Sequence, residues 1–166
     1  MILNLLPFLI KEVKIKMNLK EKINVDLKDA LKSGDKIKLQ TIRSIRALIL
    51  EFEKSGSGKE LNEEEEIKLL SSAAKKRKES IEQYTNAARN DLAQTEEAEL
   101  KIIMSYLPKQ LDEKEIEIKI KELANKIGAE TKADFGKLMS SAMKELKGKA
   151  DGKIVKTIVE KVLNKS

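Results

Sequence analysis

Apolar residues recur along most of this chain at steps of three and four, and nowhere is the every-second-residue alternation of a strand sustained. The first helical pattern begins after Met17, runs from about Asn18 to Ser33 and stops at Gly34. Glycine reaches the left-handed region that closes a helix without a steric penalty. A second helix is predicted from Asp35 to Lys54, with Ile42, Ile45, Ile49 and Phe52 on one stripe. Ser55-Gly56-Ser57-Gly58 reads as a flexible linker, and Asn62 as the cap of a long third helix over Glu63–Arg89. Four acids at Glu63–Glu66 suit the positive end of that helix dipole, so they mark a helix start rather than a metal site.

The third stripe runs Ile67, Leu70, Ala74, Arg77, Ile81, Tyr84, Ala88, with an arginine where an apolar residue belongs. The fourth helix, about Asp91–Tyr106, carries Leu92, Glu96, Glu99 and Ile103 at the same spacing. One arginine thus faces the kind of seam that holds two acids. The expected arrangement is a structural polar seam in which Arg77 pairs with Glu96 or Glu99, because a half-buried arginine is normally found with a carboxylate. The alternative is a polar pocket for a ligand.

Pro108 sets the main boundary, since proline lacks an N–H and restricts the residue before it. Beyond it, Asp112 caps a fifth helix with stripe Ile116, Ile120, Leu123 and Ile127, ended by Gly128. Thr131-x-x-Asp134 has capping-box spacing with aspartate in place of glutamate. A sixth helix is predicted to bury Phe135, Leu138, Met139, Ala142, Met143 and Leu146, and a seventh Ile154, Val155, Ile158, Val159, Val162 and Leu163. The fold class is therefore all-α. Residues 17–108 form an N-terminal helical bundle with a long helical hairpin, and residues 109–166 a C-terminal three-helix bundle.

Residues 1–16 do not fit this pattern. Their apolar run ends at Ile10, too short to span a bilayer, and it lacks the leading positive charge and small-residue cleavage site of a secretory signal. Met17 as the true start, or an appendage outside the fold, is the expected reading, with no membrane role.

Composition removes whole classes of chemistry. Cysteine and histidine are both absent, which excludes thiolate nucleophiles, histidine bases and zinc fingers. The lack of cysteine fits a reducing cytoplasm. Ser55-Gly56-Ser57-Gly58-Lys59 is too short for a phosphate-binding loop and follows no strand. No catalytic residue, cofactor or metal ligand is expected. Few aromatics, and no tryptophan, argue against a stacking platform for single strands. The net charge of +6, from 34 basic and 28 acidic residues, is a mixed surface with a basic lean.

That lean concentrates at Lys147-Gly148-Lys149-Ala150-Asp151-Gly152-Lys153, the corner between the last two helices. Gly148 ends one helix and Asp151 caps the next. Lys147, Lys149, Lys153 and Lys156 are the candidate phosphate contacts, and the N–H groups at Gly152 and Lys153 can receive one phosphate at the helix start, in competition with Asp151. Lys75-Lys76-Arg77-Lys78 is a second basic cluster, but consecutive helical residues diverge and cannot form one patch.

In order along the chain, Lys76-Arg77-x-x-Ser80-Ile81-x-x-Tyr84, Arg89-x-Asp91-Leu92-Ala93, Glu99-Leu100, Tyr106-Leu107-Pro108-Lys109-Gln110, Asp134-Phe135-Gly136-Lys137-Leu138-Met139 and the lysine corner resemble the GatB/YqeY family. The likeness covers nearly everything from Met17 to Leu163, and the ordered series is more specific than any piece. One departure is Ala88, where the family usually has a glycine before the arginine of Arg-x-Asp-Leu, which implies a less sharp turn. The resemblance implies an all-helical, two-part protein. It further implies kinship with the tail of the GatB component of the glutamine-dependent aspartyl/glutamyl-tRNA amidotransferase, which helps hold tRNA while a separate domain does the chemistry. It thus implies an association with carbon–nitrogen ligase activity using glutamine as nitrogen donor, not possession of it, and an amidotransferase or tRNA-related protein as a possible partner. The leading expectation is a non-catalytic tRNA-binding accessory protein. Its rival is a helical protein–protein interaction module with no RNA role, using an apolar groove between the two bundles, away from the lysines.

Overall fold

The computed structural model describes residues 17–164 other than 57 and 59. The expectations for residues 1–16, and those on Ser57 and Lys59 of the linker, lie outside the described residues. Seven α-helices and one 3-10 turn follow in order, and no strand occurs among the described residues: α1 Leu19–Ser33, α2 Lys36–Lys54, α3 Glu63–Asn86, α4 Asn90–Met104, α5 Glu113–Ile127, a 3-10 turn at Lys132–Asp134, α6 Phe135–Glu145 and α7 Gly152–Leu163.

Short-range chemistry explains where these helices begin. The side chains of Asn18, Asp35, Asn62 and Asp112 each accept from the backbone N–H three residues on, at 2.9, 2.9, 3.0 and 2.8 Å. This supplies acceptors for donors that the first helical turn leaves without partners. Glu21 and Glu115 reach back to the N–H of Asn18 and Asp112, completing reciprocal boxes. Asp134 does similar work before α6, accepting from the N–H groups of Glu130 and Thr131 and from the Thr131 hydroxyl. Those three donors hold its carboxyl below the ordinary range.

The helix ends are equally local, with one exception to the sequence reading. α3 stops at Asn86, not Arg89. Ala88 adopts φ 56°, the one left-handed non-glycine among the described residues. The N–H of Arg89 reaches back to the Tyr84 carbonyl at 2.8 Å and that of Ala88 to Thr85 at 3.0 Å, the two bonds of a Schellman closure. The turn is therefore as sharp as a glycine would make it, and alanine bears the strain.

Two separate apolar cores result. In the N-terminal unit, the α1–α2 pair packs on the α3–α4 hairpin around Ile23, Ile42, Ile45, Ile49, Leu70 and Ile103. In the C-terminal unit, α5, α6 and α7 enclose Ile116, Ile120, Leu138, Ala142, Val155 and Val159. No buried residue belongs to both. Tyr106 fastens the connector to the N-terminal unit: its hydroxyl donates to Asp26 at 2.6 Å, and the Lys22 ammonium lies 4.8 Å from its ring centre. Burial and that carboxylate push the phenol well above its usual range. The expected core of α6 needs one correction. Leu138, Ala142 and Leu146 are buried, but Phe135 and Met139 are only partly so and Met143 is 42% exposed. Met143 shares the stripe's spacing yet lies at its edge, beside Gly152 at the very start of α7.

Candidate functional site

The polar seam lies inside the α3–α4 hairpin. Arg77 projects from the middle of α3 between two α4 carboxylates, with Nη1 3.1 Å from Glu96 Oε2 and Nη2 2.7 Å from Glu99 Oε2. Only the first contact has hydrogen-bond alignment; the second is a charge contact off the N–H axis. Glu99 is 5% exposed. Burial raises its carboxyl above the ordinary value, Arg77 pulls it down and Glu96 raises it again. One guanidinium thus holds two acids in a seam that would otherwise expel them.

The lysine corner sits against α3, with contacts from Glu64 to Lys78. Gly148 has φ 71°, and a Cβ there would overlap Ile67 Cγ2. Both the backbone angle and the close approach require glycine. Gly152, by contrast, has room for a methyl group at ordinary contact distance from Met143. The connector holds the corner from behind: the Gln110 amide donates to the carbonyls of Pro108 and Gly148 at 2.8 and 2.6 Å, and the Leu111 N–H to that of Lys149 at 2.8 Å. Two ion pairs bind it in front. Lys147 meets Glu64 at 2.7 Å, and Lys78 meets Asp151 at 2.7 Å. Each lowers the carboxylate concerned, with the lysine hydrogen bond as the first cause.

The candidate phosphate contacts therefore differ from one another. Lys147 is turned back onto α3 by Glu64. Lys156 lies 3.9 Å from Glu160, a loose contact. Among the described residues, Lys149 and Lys153 have no carboxylate within ion-pair distance. At the start of α7, Asp151 accepts the Lys153 N–H at 2.9 Å, so an anion would have to displace it there.

Between α3 and the α6–α7 corner lies a groove of about 740 Å³. Lys68, Lys75 and Lys78 line one side and Lys147, Lys153 and Lys156 the other, with Glu79, Glu82 and Asp151 as the only carboxylates among its lining residues. The α3 lysines were missed as part of the site, although steps of seven and three place them on one face. The adjacent Lys76 and Arg77 do not line the groove. The floor is apolar, built from Ala74, Met104, Leu107, Met139, Met143 and Leu146. The apolar surface expected away from the lysines instead shares one groove with them, because α7 starts at the corner and runs alongside α6.

Among the described residues, no group of three or more acidic, cysteine or histidine side chains is placed to hold a metal, and no helix is long and apolar enough to cross a membrane.

A family model described as Yqey-like protein matches residues 20–163. Relatives named altered inheritance of mitochondria protein 41, mitochondrial, include one from Pyrenophora tritici-repentis, 31% identical over 86% of this chain and 79% of its own. One from Vanderwaltozyma polyspora is 32% identical over 84% and 79%, and one from Saccharomyces cerevisiae 31% identical over 80% and 70%. These names overturn the cytoplasmic location expected from the sequence, since the relatives are mitochondrial proteins. The absence of cysteine is compatible with many compartments and could not decide the point.

Proposed function

The chain belongs to the Yqey-like family, and on that premise we propose that it is a non-catalytic accessory protein that holds tRNA, or another structured RNA, by its phosphates. The role resembles that of the tail of a glutamine-dependent tRNA amidotransferase, a carbon–nitrogen ligase. The observation that carries this reading is the pair Lys149 and Lys153, two ammonium groups at one corner with no carboxylate within ion-pair distance among the described residues. Lys156 follows one turn on, and Lys75 stands across the groove. Positive side chains at a helix start can follow the phosphates of A-form RNA, whose narrow major groove hides its bases. In this reading Lys147 has a positioning role, seating the corner on Glu64.

A tRNA filter-binding titration in salt tests the proposal. Three or four phosphate contacts give a log–log slope of roughly −3, and the Lys149→Glu/Lys153→Glu variant should flatten it by about two. A slope near zero, or one unchanged in the variant, refutes RNA binding at this corner. Glutamine hydrolysis by the chain alone, abolished by a point substitution, would refute the non-catalytic role.

A further inference from the structure

The floor of the groove has no part in phosphate binding. Phosphates gain nothing from methionine and leucine side chains, and the lining residues include no aromatic ring on which a base could stack. Met143 is nonetheless held 42% exposed at the rim, and Met104 and Met139 line the same floor. Three of the five methionines in the chain therefore meet in one cleft. Methionine is flexible and polarizable, which suits a surface that must mould itself to an incoming apolar face. The α3 wall extends from Lys68 to Glu82, about 21 Å of helix and roughly four turns. On that wall the Ser71 hydroxyl is buried without a hydrogen-bond partner. Six lysines frame the cleft; Lys78 and Lys147 are tightly paired at 2.7 Å, Lys68, Lys75 and Lys156 have only loose carboxylate contacts at 3.7, 3.8 and 3.9 Å, and Lys153 has none among the described residues.

We propose that this groove takes an amphipathic helix of a protein partner, about four turns long, whose apolar stripe lies on the methionine floor and whose flanking positions carry carboxylates. The apolar stripe removes the exposed Met143 face from water, and the carboxylates meet the loosely paired Lys68 and Lys75 on one wall and Lys153 and Lys156 on the other. The inference stands apart from the RNA reading but shares Lys153 and Lys156 with it, so helix and RNA exclude each other at the rim.

The test uses the whole chain labelled with carbon-13 on the methionine methyl groups. The probe is a synthetic peptide about four helical turns long, with leucines on one face and glutamates beside them. Saturable shifts at Met104, Met139 and Met143 with Met17 unmoved are expected, and none with a peptide of the same composition in scrambled order. Met143→Glu, at an exposed position, should weaken the peptide roughly tenfold or more without changing the melting curve. Full-length tRNA should leave the three floor methyls in place while competing for the peptide. Unmoved floor methyls, or equal shifts with the scrambled peptide, overturn the proposal. If tRNA moves the floor methyls and the peptide does not, the groove belongs to RNA and the proposal is likewise overturned. Loss of the tRNA salt slope leaves this readout untouched, so the two proposals fail separately.

Discussion

The two units of this protein solve the same packing problem differently. The C-terminal unit has an entirely apolar core, with Leu138, Ala142, Val155 and Val159 fully buried. The N-terminal unit has an apolar core too, but its α3–α4 hairpin carries one cation and two acids at positions that the helical repeat turns inward. Hydrophobic burial is non-directional and tolerates small displacements. The seam does not, because Glu99 is bearable in its site only with the Arg77 guanidinium beside it. One unit is held by volume and the other also by alignment.

The largest expected effect tests the first half of that contrast. Leu138→Ala removes a fully buried side chain from the C-terminal core and should cost about 3 kcal/mol in denaturant unfolding. A loss below about 1 kcal/mol would show that this core is not close-packed. Next, Arg77→Met leaves Glu99 buried without its counter-ion and should cost about 2 kcal/mol at neutral pH, reduced from the fully buried case because the arginine is 26% exposed. The sign with pH is definite. Losing Arg77 raises the Glu99 carboxyl further above 4.5. The cost is therefore present above that raised value and disappears as pH falls towards the unfolded value. A deficit that grows on acidification would contradict the account, and Glu99→Gln added to the variant should recover part of the loss.

At the junction, Gly148→Ala meets both a left-handed backbone and Ile67, and should cost about 1–2 kcal/mol, with loss of amide protection at the Leu111–Lys149 bond. Gly152→Ala should stay within about 0.5 kcal/mol, since its Cβ has room. Equal effects at the two glycines would remove the case for close seating at the corner. The remaining change is a gain. Ala88→Gly should stabilise the hairpin by about 1 kcal/mol, read as a higher melting temperature, because glycine adopts φ 56° without strain.

Much of this was legible in the sequence because it is local. Caps such as Asp35 and Asp112 act on N–H groups three residues away, and Gly34 and Gly128 close their helices within a turn. Arg77 and the two glutamates could be matched because the hairpin brings equivalent stripe positions together. The end of α3 was misread because alanine is a strong helix former, and the left-handed turn at Ala88 shows only in the glycine that the family usually has there, not in the residue itself. The groove was illegible for a different reason. Its walls come from α3 and from the α6–α7 corner, and the partners of Lys147 and Asp151 lie 83 and 73 residues away. Periodicity along one helix cannot show which other helix will face it, so Met143 passed for a core residue.

The two ion pairs across the junction run in opposite senses. Along α3 the charge is negative at Glu64 and positive at Lys78, whereas on the corner Lys147 is positive and Asp151 negative. Partly exposed pairs of this kind add little strength, but their order encodes a direction. Docked the other way round, the corner would set lysine against lysine and acid against acid. The joint is keyed like a polarised plug, and the cleft beside it inherits a single handedness from that arrangement.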